Sequence, residues 1–174
     1  DVHDAPTPRL GGLAMLGGLL VGMLLASKLP MMGAVFESGN TPLALLSGVG
    51  VIVVLGIIDD KWGLDAPTKL AGQVLAAGLM ALQGIAVIWL PIGGTFVLDP
   101  LMSVLLTVLI VLISINAINF IDGLDGLAAG IVAVAAGAFF AYAYLLSVEQ
   151  GLERATLATQ VSVSLVGMCV GFLA

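Results

Sequence analysis

An all-α, polytopic helical membrane protein is the fold class that this sequence predicts, on three observations. Of the 174 residues, 60% are hydrophobic and only 9% are charged, against roughly 25% charged in soluble domains. The mean hydropathy of +1.21 is too high for a core to hide the apolar surface, so lipid must act as solvent. The apolar residues also fall in continuous runs rather than alternating. Strands are therefore not expected, because an open sheet edge cannot be satisfied in lipid.

Six runs approach the length of about 20 residues that a bilayer core requires, within a range of roughly 17–25. The first, Leu10–Leu29, is closed by Pro30. The second, Pro42–Ile58, follows the turn formers Gly39-Asn40-Thr41 and stops at Asp59-Asp60. The third, Thr68–Leu90, begins after Pro67 and ends at Pro91, with Gly93-Gly94 beyond it. The fourth, Leu101–Ile118, follows Asp99-Pro100 and runs into Asn119. The fifth, Leu127–Val148, follows Gly123 and Gly126, and the sixth is Ala155–Ala174. Pro42, Pro67 and Pro100 fall near helix starts, where a missing N–H costs little. The 23 glycines suit close packing of membrane helices or hinges, and the sequence does not separate the two.

The chain opens at Asp1 without a methionine or a signal-peptide pattern and ends inside a hydrophobic run. A single membrane domain over 1–174, incomplete at both ends, is the expectation. The lone Cys169 lies in an apolar run and reads as a buried structural thiol. The net charge of −6 does not describe an acidic coat, because Asp59, Asp60, Asp65, Asp122 and Asp125 lie in two polar breaks. Five Lys and Arg make no basic stripe, which argues against nucleic acid as a partner.

Counting spans brings the polar breaks together. Asp1–Arg9, Asp59–Lys69 and Asn119–Gly126 are separated by two spans each time, so all three are expected on one membrane face. Met31–Thr41, Pro91–Pro100 and Glu149–Arg154 fall on the other. Arg9, Lys61 and Lys69 lie on the motif side and Lys28 and Arg154 opposite, which leans toward a cytoplasmic motif face.

The polar residues on that face have chemistry in common. Asp59 and Asp60 end a helix, where carboxylates oppose the macrodipole. Lys61, Lys69 or a bound cation must offset them; a solvated cap is the plainer reading. Asn116, Asn119, Asp122 and Asp125 recur every three residues and make a polar stripe on a continuing helix, with Asp125 placed to cap the helix from Leu127. A simple capped loop is again the alternative. Oxygen-only ligands suit a hard cation, Mg²⁺ or Mn²⁺. Lys69 and Gln73 share one helix face near its start, where Lys69 can meet a phosphate or snorkel to the interface. Arg9, before Leu10-Gly11-Gly12, reads equally as a phosphate contact or a membrane anchor.

The segment DVHDAPTPRLGG, the Asp59-Asp60 pair, Lys69 and the pattern NxxNxxDGLDGLAxG from Asn116 occur here in one order. Together they resemble the polyprenyl-phosphate N-acetylhexosamine-1-phosphate transferases, of the glycosyltransferase family 4 type. Most similar are the bacterial undecaprenyl-phosphate N-acetylglucosamine-1-phosphate transferases, which begin O-antigen, teichoic acid or arabinogalactan-linker synthesis. The resemblance implies transfer of N-acetylhexosamine 1-phosphate from a UDP-sugar to a polyprenyl phosphate, with release of UMP, at the cytoplasmic face of the bacterial plasma membrane. It implies that Asp59 and Asp60 are a catalytic acidic pair, with the base left open. It implies that Asn119 and Asp60 lie at the metal. Lys69, Asn116, Asp122, Asp125 and Arg9 would bind substrate, with Asp125 near the uracil.

Family members have ten or eleven spans. They also carry a GDxGS-type metal Asp and a His-rich loop that do not occur in this chain, so about half of an active site is expected here. A second copy of the chain counts among the candidate partners, beside the lipid bilayer. The rival readings are a cation-coupled secondary transporter, a non-catalytic membrane subunit and a peptidoglycan lipid I synthase of the same family.

Overall fold

The computed structural model describes residues 11–29, 32, 36, 40–121, 126–151 and 153–173. Among these, six long helices follow one another: α1 (Gly11–Ala26), α2 (Thr41–Trp62), α3 (Ala66–Leu82), α4 (Pro100–Ile121), α5 (Leu127–Gln150) and α6 (Glu153–Leu173). Pro42 lies in the first turn of α2, Pro67 in that of α3, and Pro100 begins α4, positions that use no intrahelical N–H.

Adjacent helices run antiparallel, and side-chain contacts fix the register. Along the α2–α3 hairpin, Lys69 meets Asp59 at one end and Gln83 donates to the Ser47 hydroxyl (2.9 Å) at the other. Between them Gly72 faces Leu55, and Gly48 faces Met80. Helix α4 returns along α3: Asn116 bonds Gln73 near one end, and Ser103 and Thr107 hold the backbone of Val87 near the other. Helices α5 and α6 pair from Gly126 beside Leu173 to the Ser147–Thr156 hydroxyl contact at 2.8 Å. Helix α1 lies against α6, with Gly11 beside Phe172 and the Gln160 amide donating to the Gly22 carbonyl, and it also touches α2.

The interior is built from small side chains. Ala44, Ala76, Ala77, Ala81, Ala136 and Ala143 are buried, while Leu24, Leu25, Val134, Phe139 and many other large apolar residues are exposed. This reverses a soluble core. It is the pattern of helices that pack through small residues and turn their large ones toward lipid. The protein is an all-α polytopic membrane protein. Four stretches are long and apolar enough to cross a membrane by length and composition: Thr41–Trp62, Pro100–Ile121, Leu127–Glu149 and Thr156–Leu173. Helices α1 and α3, of 16 and 17 residues, are shorter than the runs that predicted them.

The third run is the main departure. It was expected to be helical through Leu90, but α3 stops at Leu82. Gly84 takes φ +101°, the Ile85 N–H reaches back to the Met80 carbonyl (3.0 Å), and the Gly84 N–H bonds the Ala81 carbonyl (3.1 Å). These two bonds form the Schellman stop that glycine favours. The rest of the run enters a short antiparallel hairpin of β1 (Trp89–Leu90) and β2 (Phe96–Val97), paired Trp89 with Val97 and Leu90 with Phe96. Strands were not expected. They form where the chain has left the helical bundle, and Ser103 and Thr107 fasten this link to α4.

Candidate functional site at one end of the helices

The C-terminal end of α2 carries the first cluster. The helix continues to Trp62, so Asp59 and Asp60 lie in its last turn rather than beyond it. Asp59 is held three ways. Its backbone carbonyl accepts from Gly63 N–H (2.8 Å), its Oδ1 from Leu64 N–H (2.8 Å), and its Oδ2 pairs with Lys69 Nζ at 2.8 Å. Lys69 is thus the cation that offsets a carboxylate at the negative end of a helix. Lys61 does not take that role; its ammonium lies over the Trp62 ring, 4.5 Å from the centroid. Asp60 is exposed at the same helix end.

Lys69 owes its place to the start of α3. Asp65 is the N-cap residue, its Oδ1 accepting from Thr68 N–H at 3.3 Å. Hydrogen bonding from the Thr68 side chain is the main cause that holds the Asp65 carboxyl below its ordinary value. The turn from Gly63 to Asp65 therefore closes α2 and opens α3 with its own hydrogen bonds, and it delivers Lys69 to Asp59 one turn later.

The second cluster lies one turn further along α3. Gln73 is buried, 6% exposed, and its Oε1 accepts from Asn116 Nδ2 at 2.9 Å. Asn116 also donates to the Leu112 carbonyl of its own helix (2.8 Å). Asn119, one turn on toward the C-terminus of α4, is exposed, as is Phe120 after it. The structure thus brings Asp59, Asp60, Lys69, Asn116 and Asn119 to one end of three consecutive helices. Arg9, Asp122 and Asp125 lie outside the described residues. The residue that precedes α5 is Gly126, with φ 74°; the expected cap, Asp125, lies outside the described residues.

Gln73 was read from the sequence only as a neighbour of Lys69. The signal was present, a carboxamide one turn from the lysine inside an apolar run, but its partner is 43 residues away. Among the described residues no group of three or more His, Cys, Asp and Glu side chains is placed to hold a metal ion. Asp60 and Asn119 offer oxygen donors alone, which suits a hard cation that takes few protein ligands and completes its shell with phosphate and water.

Comparison with known proteins gives this geometry a lineage. The sequence pattern of glycosyl transferase family 4 matches residues 42–174, which include every described member of the cluster. The chain belongs to glycosyl transferase family 4. It is 47% identical over 180 residues to the decaprenyl-phosphate N-acetylglucosaminephosphotransferase of Mycolicibacterium smegmatis, covering 99% of this chain and 44% of that protein. The protein of the same description from Mycobacterium leprae is also 47% identical, with 99% and 45% covered. A probable undecaprenyl-phosphate N-acetylglucosaminyl 1-phosphate transferase of Bacillus subtilis is 37% identical over 84 residues, 48% of this chain and 21% of that protein. This family 4 chain spans less than half the length of the curated relatives it matches. No solved structure matches it.

Proposed function

We propose that the protein transfers N-acetylglucosamine 1-phosphate from its UDP derivative to a polyprenyl phosphate at the cytoplasmic face of a bacterial plasma membrane. The observation that carries this reading is the convergence of Asp59, Asp60, Lys69, Asn116 and Asn119 at one end of lipid-facing helices. The names of the mycobacterial relatives supply the polyprenyl phosphate and the N-acetylglucosamine phosphate. An acceptor with a hydrocarbon tail in the bilayer and a phosphate at its surface meets such a site without leaving the membrane.

In this reaction an oxygen of the lipid phosphate attacks the β-phosphorus of the UDP-sugar. The bond from that phosphorus to the bridging oxygen breaks, and UMP leaves with the α-phosphate. A Mg²⁺ ion supplies charge neutralisation of the pyrophosphate when bound, and Asp60 and Asn119 are the described residues that would hold it. Lys69 meets a phosphate oxygen. Asp59 is engaged by Lys69 and the Leu64 N–H, so it orients the lysine, and Asp60 is the carboxylate assigned to the metal. The lipid phosphate is already ionised near neutral pH, so alignment counts for more than proton abstraction. Such a step is expected to serve as the first membrane reaction of a cell-envelope glycan pathway.

A secondary transporter would hold its polar site near mid-membrane on broken helices, whereas these residues sit at the ends of continuous ones. The acetylglucosamine named in the relatives favours this branch over lipid I synthesis. In the full-length protein, Asp60→Asn and Asn119→Ala are expected to abolish Mg²⁺-dependent UMP release. Near-normal turnover by both would refute the assignment.

A further inference from the structure

A hydrogen bond joins the two halves of the site, and its acceptor is a residue outside the assigned set. Gln73 sits on α3 one turn after Lys69 and is buried where α3 packs against α4. Its Oε1 accepts from Asn116 Nδ2 at 2.9 Å, and the same amide nitrogen donates to the Leu112 carbonyl at 2.8 Å. Both amide hydrogens of Asn116 are thereby used inside the protein. An amide has two donors on nitrogen and an acceptor on oxygen, so the carbonyl oxygen is the end that Asn116 presents to a ligand. Without the Gln73 acceptor, the amide can turn over and present a donor instead.

A carboxamide buried among Ala76, Ala77 and other apolar neighbours costs stability unless it is bonded, and packing alone is served by Leu or Met of similar volume. Its placement has a directional consequence. Lys69 is anchored to α2 through Asp59, and Gln73 anchors α4 to the same face of α3. At this end of the α3–α4 pair, that hydrogen bond ties the Asn116–Asn119 edge of α4 to the face of α3 that carries the phosphate-binding lysine.

We propose that Gln73 is a positioning residue for this site. It fixes the orientation of the Asn116 amide, so that its carbonyl accepts from a donor N–H or hydroxyl of the nucleotide sugar, and it ties α4 to the face of α3 that carries Lys69. The inference rests on the phosphotransfer reading above. Gln73 itself touches no reacting atom; it acts through Asn116.

The test is a double-mutant cycle in the full-length protein, read as kcat/KM for UDP-N-acetylglucosamine with melting temperature recorded for each variant. Gln73→Met is expected to lower kcat/KM about tenfold, the upper range of one net hydrogen bond, chiefly through KM. In an Asn116→Ala background the same substitution is expected to change kcat/KM less than about twofold, because the residue it acts through is gone. Gln73→Glu keeps an accepting oxygen and is expected to recover most of the loss, which also serves if the Met variant does not fold. Additive losses in the cycle, or equal losses from Glu and Met, would overturn the positioning role while leaving the reaction intact. Absence of UMP release by the unmutated protein would instead overturn the reaction and this inference with it.

Discussion

Asp59 and Lys69 show how little of this site is about stability. The pair is 2.8 Å apart, but its side chains are 31% and 42% exposed, and a pair so accessible to water and salt contributes little to stability. Its use is geometric: it holds an ammonium at the surface end of α3. Lys69→Met is therefore expected to leave the melting temperature within a few degrees of normal. It should lower kcat/KM at least tenfold, since a charge-assisted hydrogen bond to phosphate contributes about 1.5–3 kcal/mol. Parallel loss of stability and activity would show the lysine to be structural. The acidic pair and Lys69 were legible in the sequence, because a short turn between two helices must bring its flanking residues together. The Gln73–Asn116 bond was not, because no local pattern reports which faces of α3 and α4 meet.

At the scale of the element, helix α2 packs on α3 through missing side chains. A Cβ on Gly48 would overlap the Met80 side chain and lie 3.3 Å from the Ala76 carbonyl. Met80 can swing aside for a methyl group, but a branched side chain would also meet the α3 backbone. Gly48→Val is expected to cost about 1–3 kcal/mol through overpacking, seen as a lower midpoint of thermal unfolding in detergent; an unchanged midpoint would contradict the close approach. The glycines that the sequence left between packing and hinge thus include at least one packing position. The helical runs themselves were legible, because lipid requires continuous apolar stretches. The end of α3 was not: Ile85–Leu90 is as apolar as the helix before it, and only the left-handed turn at Gly84 separates hairpin from helix.

For the whole molecule, alternating helix directions carry the functional argument. The pairs Asp59–Lys69 and Gln73–Asn116 bring the C-terminal ends of α2 and α4 to the N-terminal end of α3, and Gly126–Leu173 and Gly11–Phe172 bring the C-terminal end of α6 to the N-terminal ends of α5 and α1; the short stretch of chain from Ile121 to Gly126 keeps the two sets at one end. Counting spans in the sequence anticipated this one-sidedness, because an even number of crossings returns the chain to the same face. The roles of Arg9, Asp122 and Asp125 rest on resemblance alone. The hairpin of β1 and β2 lies at the opposite end, between α3 and α4, and takes no part in the cluster. The measurement that bears most directly on this account is product analysis with the purified full-length protein, given UDP-N-acetylglucosamine, a polyprenyl phosphate and Mg²⁺. The account predicts UMP and a lipid-linked N-acetylglucosamine diphosphate in equal amounts, both lost when the lipid phosphate or the metal is withheld. UMP formed without the lipid, or no UMP under any of these conditions, would contradict it.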